Sequence, residues 1–447
     1  MVKDMTKGAV TPLLLKFSLP LLVSVVFQQL YSIADSVIAG NFVSTNALAA
    51  IGASYPITMI FLSIGTGSNI GCSVVISTLF GAKDYKGMKT AVFTSLISCF
   101  SLAVLLTIVG SLTGTWFLEL LNTESEVFSD AQAYLNIYML GLVFLFVYNI
   151  CTGIFSALGD SNTPLYFLIG SSVGNILLDI MFVVAFKMGV PGTAWATFIS
   201  QGVCCILAFA VLMNRIKKIE CPPFAVFEWR MLGKIAGLSV PSIFQQSFVS
   251  VGNLFIQRLV NDCGTDVMAG YSSAIKLNTF AVTSFGAVCN SVSSFVAQNN
   301  GAKEYGRVKK GFYTGAILAA GIAVVFSIVY VVFAEQLVYI FMDSANENSL
   351  AVAQAGMLFI TIVSPFFITV SLKLVADGVL RGLGNIRAFM ITTFSDLILR
   401  VVLAFLLKPH FGAQGIWMSW PVGWAVAMII SVVLYVRTIR RITQKTD

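Results

Sequence analysis

Long apolar runs, broken at near-regular intervals by short polar turns, fill this chain from end to end. Residues 90–118, 131–159, 188–214, 235–257, 277–302, 311–334, 348–372 and 411–436 each lack any charged side chain. A membrane-spanning helix needs about 20 apolar residues, so each run predicts one span. The stretch 36–82 is too long for one helix and is divided by the polar segment Gly40–Asn46. Two further spans, 163–187 and 388–407, contain one or two charges, and a span beginning at Leu13 brings the total to twelve. The pattern predicts an all-α polytopic membrane protein.

Composition agrees. Of 447 residues 57% are apolar and 11% charged, against about 25% charged in soluble domains. Met1–Lys16 leads straight into a long span, which predicts no cleavable signal peptide. The net charge of +7 is not a nucleic-acid footprint, because the basic residues sit between spans. With the N-terminus placed in the cytoplasm, 21 Lys and Arg fall in cytoplasmic segments and 3 (Lys187, Arg258, Lys408) outside. The positive-inside rule therefore places both termini in the cytoplasm of a multi-pass protein of the inner (cytoplasmic) membrane. Eight Cys form no CxxC pair and the single His410 completes no metal set, so the cysteines read as small packing residues.

An internal repeat organises the spans. Gly81-Ala82-Lys83-Asp84-Tyr85 recurs as Gly301-Ala302-Lys303-Glu304-Tyr305, Leu158-Gly159-Asp160 as Leu383-Gly384-Asn385, and Pro20 as Pro241. Three matches at nearly one offset indicate a duplication. The reading is an N-terminal six-helix lobe (1–213), a basic cytoplasmic linker (214–234) with Pro222-Pro223, and a C-terminal six-helix lobe (235–447). Six spans is an even number, so the lobes share one orientation and a pseudo-twofold axis along the membrane normal. Parallel repeats of this kind are a transporter signature.

Phe17-Ser18-Leu19-Pro20, Gln28-Gln29-Leu30-Tyr31 and Asp35-Ser36-Val37-Ile38-Ala39-Gly40 resemble helix 1 of the multidrug and toxic compound extrusion (MATE) family. The resemblance continues through Gly81-Ala82-Lys83, Ala157-Leu158-Gly159-Asp160 with Thr163-Pro164, Asn175–Asp179, Gly192–Thr197 and Arg381–Asn385. It runs in order along nearly the whole chain and is nearest the DinF-like and MepA-like bacterial branch. It implies two six-helix lobes and export of organic cations in exchange for protons or sodium ions.

A carboxylate at mid-membrane costs roughly 2.5–3.5 kcal/mol on the insertion scale, so it has a task or a partner. Asp35 and Asp179 have no basic residue within one turn of their own helices. Asn175 and Asp179, four apart, share a helical face. At 1.5 Å per residue, Asp179 lies about 12 Å below the outer end of its helix, with Thr197 and Asp35 roughly 8 Å deep in theirs. Two carboxylates, an amide and a hydroxyl suit a hard cation or a shared proton. The resemblance implies that Asp35, Asn175, Asp179 and Thr197 form the ion-coupling site, including a possible sodium ion, and that Pro20 is a hinge in helix 1. A plain proline kink is the alternative for Pro20. Gln28, Gln29, Tyr31, Tyr138 and Asn149 are candidates for the substrate cavity, or else join helices by hydrogen bonds.

By the repeat offsets Asp35 maps to Ile256, Asn175 to Arg400 and Asp179 to Ala404, so the second lobe lacks this site. Its own charges, Lys373, Asp377 and Arg381 at steps of four and Asp396 four before Arg400, read as structural pairs. Lys276 is left without a role. The expectation is a monomeric secondary antiporter for small amphipathic cations, working by alternating access in the lipid bilayer. It needs no cofactor beyond its coupling ion, proton or sodium, and binds no nucleic acid. A flippase for lipid-linked precursors is the alternative, disfavoured by acidic rather than basic charges in the first lobe. No HExxH or GxSxG occurs, so an enzyme is not expected.

Overall fold

Hydrocarbon offers the backbone no hydrogen-bond partner, so a spanning segment with no sheet to join must be helical. The computed structural model describes residues 3–42, 45–121, 123–340 and 349–444, and the side chains of all these except 33–42, 45–48 and 349. The helices are α1 (Val10–Phe42), α2 (Thr45–Gly81), α3 (Tyr85–Leu120), α4 (Ser125–Ala157), α5 (Asn162–Asp179) and α6 (Val190–Lys217). Then come α7 (Trp229–Asn261), α8 (Thr265–Gly301), α9 (Tyr305–Val332), a short α10 (Ala334–Ile340), α11 (Ser349–Val363), α12 (Phe367–Gly382), α13 (Ile386–Phe411) and α14 (Ala413–Thr443). A 3₁₀ turn, Ser364–Phe366, joins α11 to α12 as one span. Among the described residues eleven helical stretches are long and apolar enough to cross a bilayer. The twelfth, α7, is as long at 33 residues but less apolar, with Arg230, Lys234 and Arg258 near its ends.

The duplication is visible in the backbone. Lys83 (φ 58°) and Lys303 (φ 60°) both take the left-handed conformation, which non-glycine residues rarely adopt. Gly159 (φ 77°) and Gly384 (φ 72°) do likewise after α4 and α12. The next residue caps the following helix in both places: Asp160 Oδ1 accepts from Thr163 N–H at 3.1 Å, and Asn385 Oδ1 from Ala388 N–H at 3.3 Å. Each cap is tied to the last helix of its half, Asp160 to Arg215 by a salt bridge and Asn385 Nδ2 to Thr438 Oγ1 at 2.8 Å.

Contacts group the chain into two units: Met1–Asp4 with Val23–Ser247, and Met5–Leu22 with Phe248–Asp447. The linker and the opening turns of α7 thus belong to the first unit, and the opening turns of α1 to the second. These packing units differ from the halves 1–213 and 235–447, which describe descent by duplication. In the first unit α2 meets α7 across glycines: a Cβ at Gly67 would lie 2.5 Å from the Ile243 backbone nitrogen. Ser239 Oγ donates to Ser68 O there at 3.3 Å. In the second unit Met5, Leu13, Leu14 and Phe17 pack against Val288, Val292 and Phe295 of α8. Met5 N–H donates to Gln298 Oε1 at 2.9 Å.

The second unit buries charge. Lys373 Nζ lies 3.0 Å from Asp377 Oδ2, one turn along α12, and 3.6 Å from Asp396 Oδ2 on α13. Asp377 Oδ1 also accepts from Thr392 Oγ1 at 2.7 Å and Ser431 Oγ at 2.8 Å. The expected Lys373–Asp377 pair is present, but Asp396 pairs with Lys373 rather than Arg400. Arg400 instead lies over the Trp420 ring, 4.4 Å from its centroid. Arg381 donates to Asn290 Oδ1 (2.7 Å) and Ser293 Oγ (3.2 Å) on α8, not to Asp377. Asp396 has thus exchanged its expected in-helix partner for one on a neighbouring helix, while Arg381 and Arg400 meet neutral groups. Lys276 is exposed on α8.

Two predictions follow from buried charge. Lys373→Met strands two carboxylates and is expected to lose about 3–5 kcal/mol of stability. Adding Asp377→Asn and Asp396→Asn should recover most of it in detergent thermal unfolding, and Lys373→Met unfolding like wild type would refute the pairing. At the other corner, burial pulls the Asp160 carboxyl up, but hydrogen bonds from Arg215 and Thr163 outweigh it and hold the group below 3.8. A depressed carboxylate stabilises above its unfolded pKa and loses that contribution as pH falls through the folded one. The stability gap between wild type and Asp160→Asn should be constant above about pH 5 and close below about pH 4.

Candidate functional site

Two helices of the first unit, α5 and α6, bring three of the four expected ion-coupling residues together. Asp179 is fully buried and Asn175 is 2% exposed. The Asn175 amide satisfies both of its ends when Nδ2 faces the carboxylate. Nδ2 then donates to Asp179 Oδ2 at 2.8 Å, and Oδ1 accepts from the Thr197 backbone N–H at 3.1 Å. The half-buried Thr197 hydroxyl lies 3.3 Å from the same end of that amide. The i to i+4 spacing on α5 places the amide and carboxylate side by side, and α6 closes the site. Cys204 Sγ donating to Phe167 O (3.4 Å) further joins α5 to α6. The Asp35 side chain lies outside the described residues.

Asp179 sits where α5 stops being an α-helix. A π turn, Ile180–Ala185, follows it directly, and Phe186 N–H donates to Met181 O at 2.9 Å, five residues back. Such turns inside helices concentrate at functional sites, because the wider ring reorients neighbouring side chains. No residue pattern in Ile180–Phe186 signals this, so the sequence reading had no access to it.

The substrate-cavity candidates do not converge. Tyr138 lines a cavity of ≈ 10 Å³ with Tyr134, Thr197, Phe198 and Gln201, between α4 and α6. That is room for about one water molecule, placed beside Thr197. Gln201, one turn after Thr197, could have been read as part of this polar face. Asn149 spends its amide locally, Nδ2 donating to Leu145 O at 2.8 Å. Gln28 is exposed and Gln29 and Tyr31 half-buried on α1, and none of them lines the Tyr138 cavity. Pro20 lies inside α1, just before the helix passes between units at Leu22 and Val23.

The donors at Asn175, Asp179 and Thr197 carry oxygen and amide nitrogen only, a set for a proton or a hard cation rather than a soft metal. Among the described residues no three His, Cys, Asp or Glu side chains cluster as a metal site.

Comparison with known proteins places this geometry. The MatE family model matches residues 20–181 and 241–406, two stretches that begin 221 residues apart at Pro20 and Pro241. The chain is 27% identical over 415 residues to the probable multidrug resistance protein YpnP of Bacillus subtilis, covering 92% of each. It is 28% identical over 429 residues to YoeA of the same organism, named in the same way, covering 93% of this chain and 91% of the relative. Among solved structures, an outward-facing MATE family transporter of the MOP superfamily superposes with a TM-score of 0.92 at 21% identity, covering 98% of both chains. A MATE in complex with MaL6 gives 0.93 at 20% identity over 99% of both. These structures share the fold. Matched by the family model over most of its length, in both halves of its repeat, the chain belongs to the MatE family.

Proposed function

We infer that this protein is a secondary antiporter that exports amphipathic organic cations, driven by protons or sodium ions bound in the first unit. The observation that carries this reading is the buried Asp179 held by Asn175 beside Thr197. A buried carboxylate in an apolar bundle, hydrogen-bonded by an amide and set beside a hydroxyl, is a group that can take up a proton or a hard cation. Asp35, on α1, is the second carboxylate of the proposed site. The relatives named as multidrug resistance proteins support the substrate class.

The reading orders the cycle by alternating access. An ion entering from outside neutralises Asp35 and Asp179, α1 rearranges near Pro20, and bound cation leaves outward. Reorientation then delivers the ion to the cytoplasm, where both termini lie, and admits the next substrate. Each net charge moving down 100 mV supplies about 2.3 kcal/mol, roughly a fiftyfold gradient. An exported monovalent cation climbs the same potential, so one ion drives it through the ion's own concentration gradient and a second adds the electrical contribution. Tyr138 and the polar cavity beside Thr197 are the nearest candidates for passing a water or proton to the site. The protein works as a monomer without a cofactor.

Everted vesicles test this directly, with ethidium or tetraphenylphosphonium as substrate and proton and sodium gradients imposed separately. Wild type should accumulate the cation under one gradient, which names the coupling ion. Asp35→Asn and Asp179→Asn, which keep side-chain size and hydrogen bonding, should each lose gradient-driven uptake by at least about tenfold, about 1.4 kcal/mol of driving force. Undiminished uptake in both variants would remove the coupling site, and no uptake in wild type under either gradient would favour the lipid-precursor flippase.

A further inference from the structure

A groove in the second unit has no part in that cycle. It is lined by Thr11 and Leu15 of α1 and by Thr314, Ile317, Gly321 and Val325 of α9, with a volume of ≈ 510 Å³. Its walls are apolar except at one end, where Thr11 Oγ1 and Thr314 Oγ1 approach to 3.4 Å. Ile317 and Val325 are 75% and 60% exposed, so the groove opens outward into whatever surrounds this face of α9. Gly321 lies inside it, and a Cβ there would meet no atom within 4 Å.

The polar end is ringed by positive charge. Lys310 is exposed one turn before Thr314 on the same face of α9. Arg307 donates to the backbone carbonyls of Met5 (3.0 Å), Lys7 (3.4 Å) and Gly8 (2.7 Å). That anchor holds the exposed Lys7 beside the first turns of α9, and its guanidinium adds a third positive charge. No acidic side chain forms a salt bridge to Lys7, Arg307 or Lys310 among the described residues.

Dimensions fix the kind of occupant. The 28 residues of α9 make about 42 Å of helix, the thickness of a bilayer with its headgroups. Lys310 lies about 7 Å from the start of α9, at the boundary between headgroups and hydrocarbon. From Thr314 to Val325 is about 16 Å, the depth of one leaflet. An apolar slot one leaflet deep, with hydroxyls and lysines at its rim, matches a lipid with a negative headgroup.

We propose that this groove is a binding site for an anionic phospholipid of the cytoplasmic leaflet, its acyl chain between α1 and α9 and its phosphate at Thr11, Thr314, Lys7 and Lys310. The leaflet assignment rests on the cytoplasmic orientation adopted above; the site itself does not. By holding the opening turns of α1 against α9, the lipid would brace the segment that leads to Pro20.

Native mass spectrometry of the full-length protein in detergent, titrated with phosphatidylglycerol or with phosphatidylcholine of identical chains, tests the site without reference to transport. Wild type should bind one phosphatidylglycerol and prefer it over phosphatidylcholine. Lys7→Ala with Lys310→Ala should weaken phosphatidylglycerol by roughly thirtyfold, about fivefold per lysine, and leave phosphatidylcholine unchanged. Gly321→Leu, which fills open space and improves helix propensity, should displace both lipids while the thermal midpoint without lipid is kept. Equal binding of the two lipids, indifference to the lysine pair, or binding that survives Gly321→Leu would overturn the proposal. So would a second copy of the chain on this face, seen as a dimer, or saturation by inorganic phosphate alone. A membrane-impermeant amine reagent applied to intact cells separates the orientation from the site. Labelling of Lys310 from outside would move the lipid to the outer leaflet with the groove result intact.

Discussion

Water is missing from the hydrocarbon core, and that absence governs the rest of the molecule. It makes each span a helix that satisfies its own backbone, and it leaves side-chain polarity as the only quantity the bundle must still balance. The charged groups buried on α5 and α12 strike that balance with specific neighbours. Asp179 and Lys373 show the two ways of striking it. One charge takes a hydrogen bond from a neutral amide on its own helix. The other is closed off between two carboxylates, one of which also takes two hydroxyls.

The spans and the repeated Gly-Ala-Lys turns were legible because each is a local property of the chain. A run without charges is a span whatever it packs against, and Lys83 and Lys303 adopt the same left-handed turn in both halves. The Asn175–Asp179–Thr197 cluster was legible in part, since helical spacing and depth are arithmetic. What was hidden depends on neighbours distant in sequence. Spacing alone paired Asp396 with Arg400, yet Lys373 reaches Asp396 across from α12 to α13. The opening turns of α7 meet the first unit through close approaches such as Gly67 against Ile243, and those of α1 meet the second through Leu13, Leu14 and Phe17 against α8. The π turn after Asp179 leaves no mark in composition at all.

Duplication kept geometry and discarded charge. The cap after each Leu-Gly turn survives with the same hydrogen bond, but the tie to the last helix is an ion pair at Asp160–Arg215 and a neutral bond at Asn385–Thr438. A backbone motif is set by φ and ψ, which both copies must satisfy to fold. The tie needs only some complementary pair, so the copies were free to diverge in how they made it.

The same divergence shows at the Asn175–Asp179–Thr197 cluster, whose residues the second half does not repeat. The offset of 225 carries Asn175 to Arg400. The positive-φ glycines before the last helix of each half, Gly189 (φ 63°) and Gly412 (φ 58°), set an offset of 223 that carries Thr197 to Trp420. In the second unit these two side chains again meet, now as a guanidinium over an indole ring at 4.4 Å. Asp179 becomes Ala404, fully buried. Where the first unit gathers an amide, a hydroxyl and a carboxylate, the second places a guanidinium on an aromatic face, an interaction worth about 2 kcal/mol or more when desolvated. One half of the duplicated fold thus carries two carboxylates, an amide and a hydroxyl where the other carries Ile256, Ala404, Arg400 and Trp420, so a shared scaffold has kept its shape while its buried chemistry diverged.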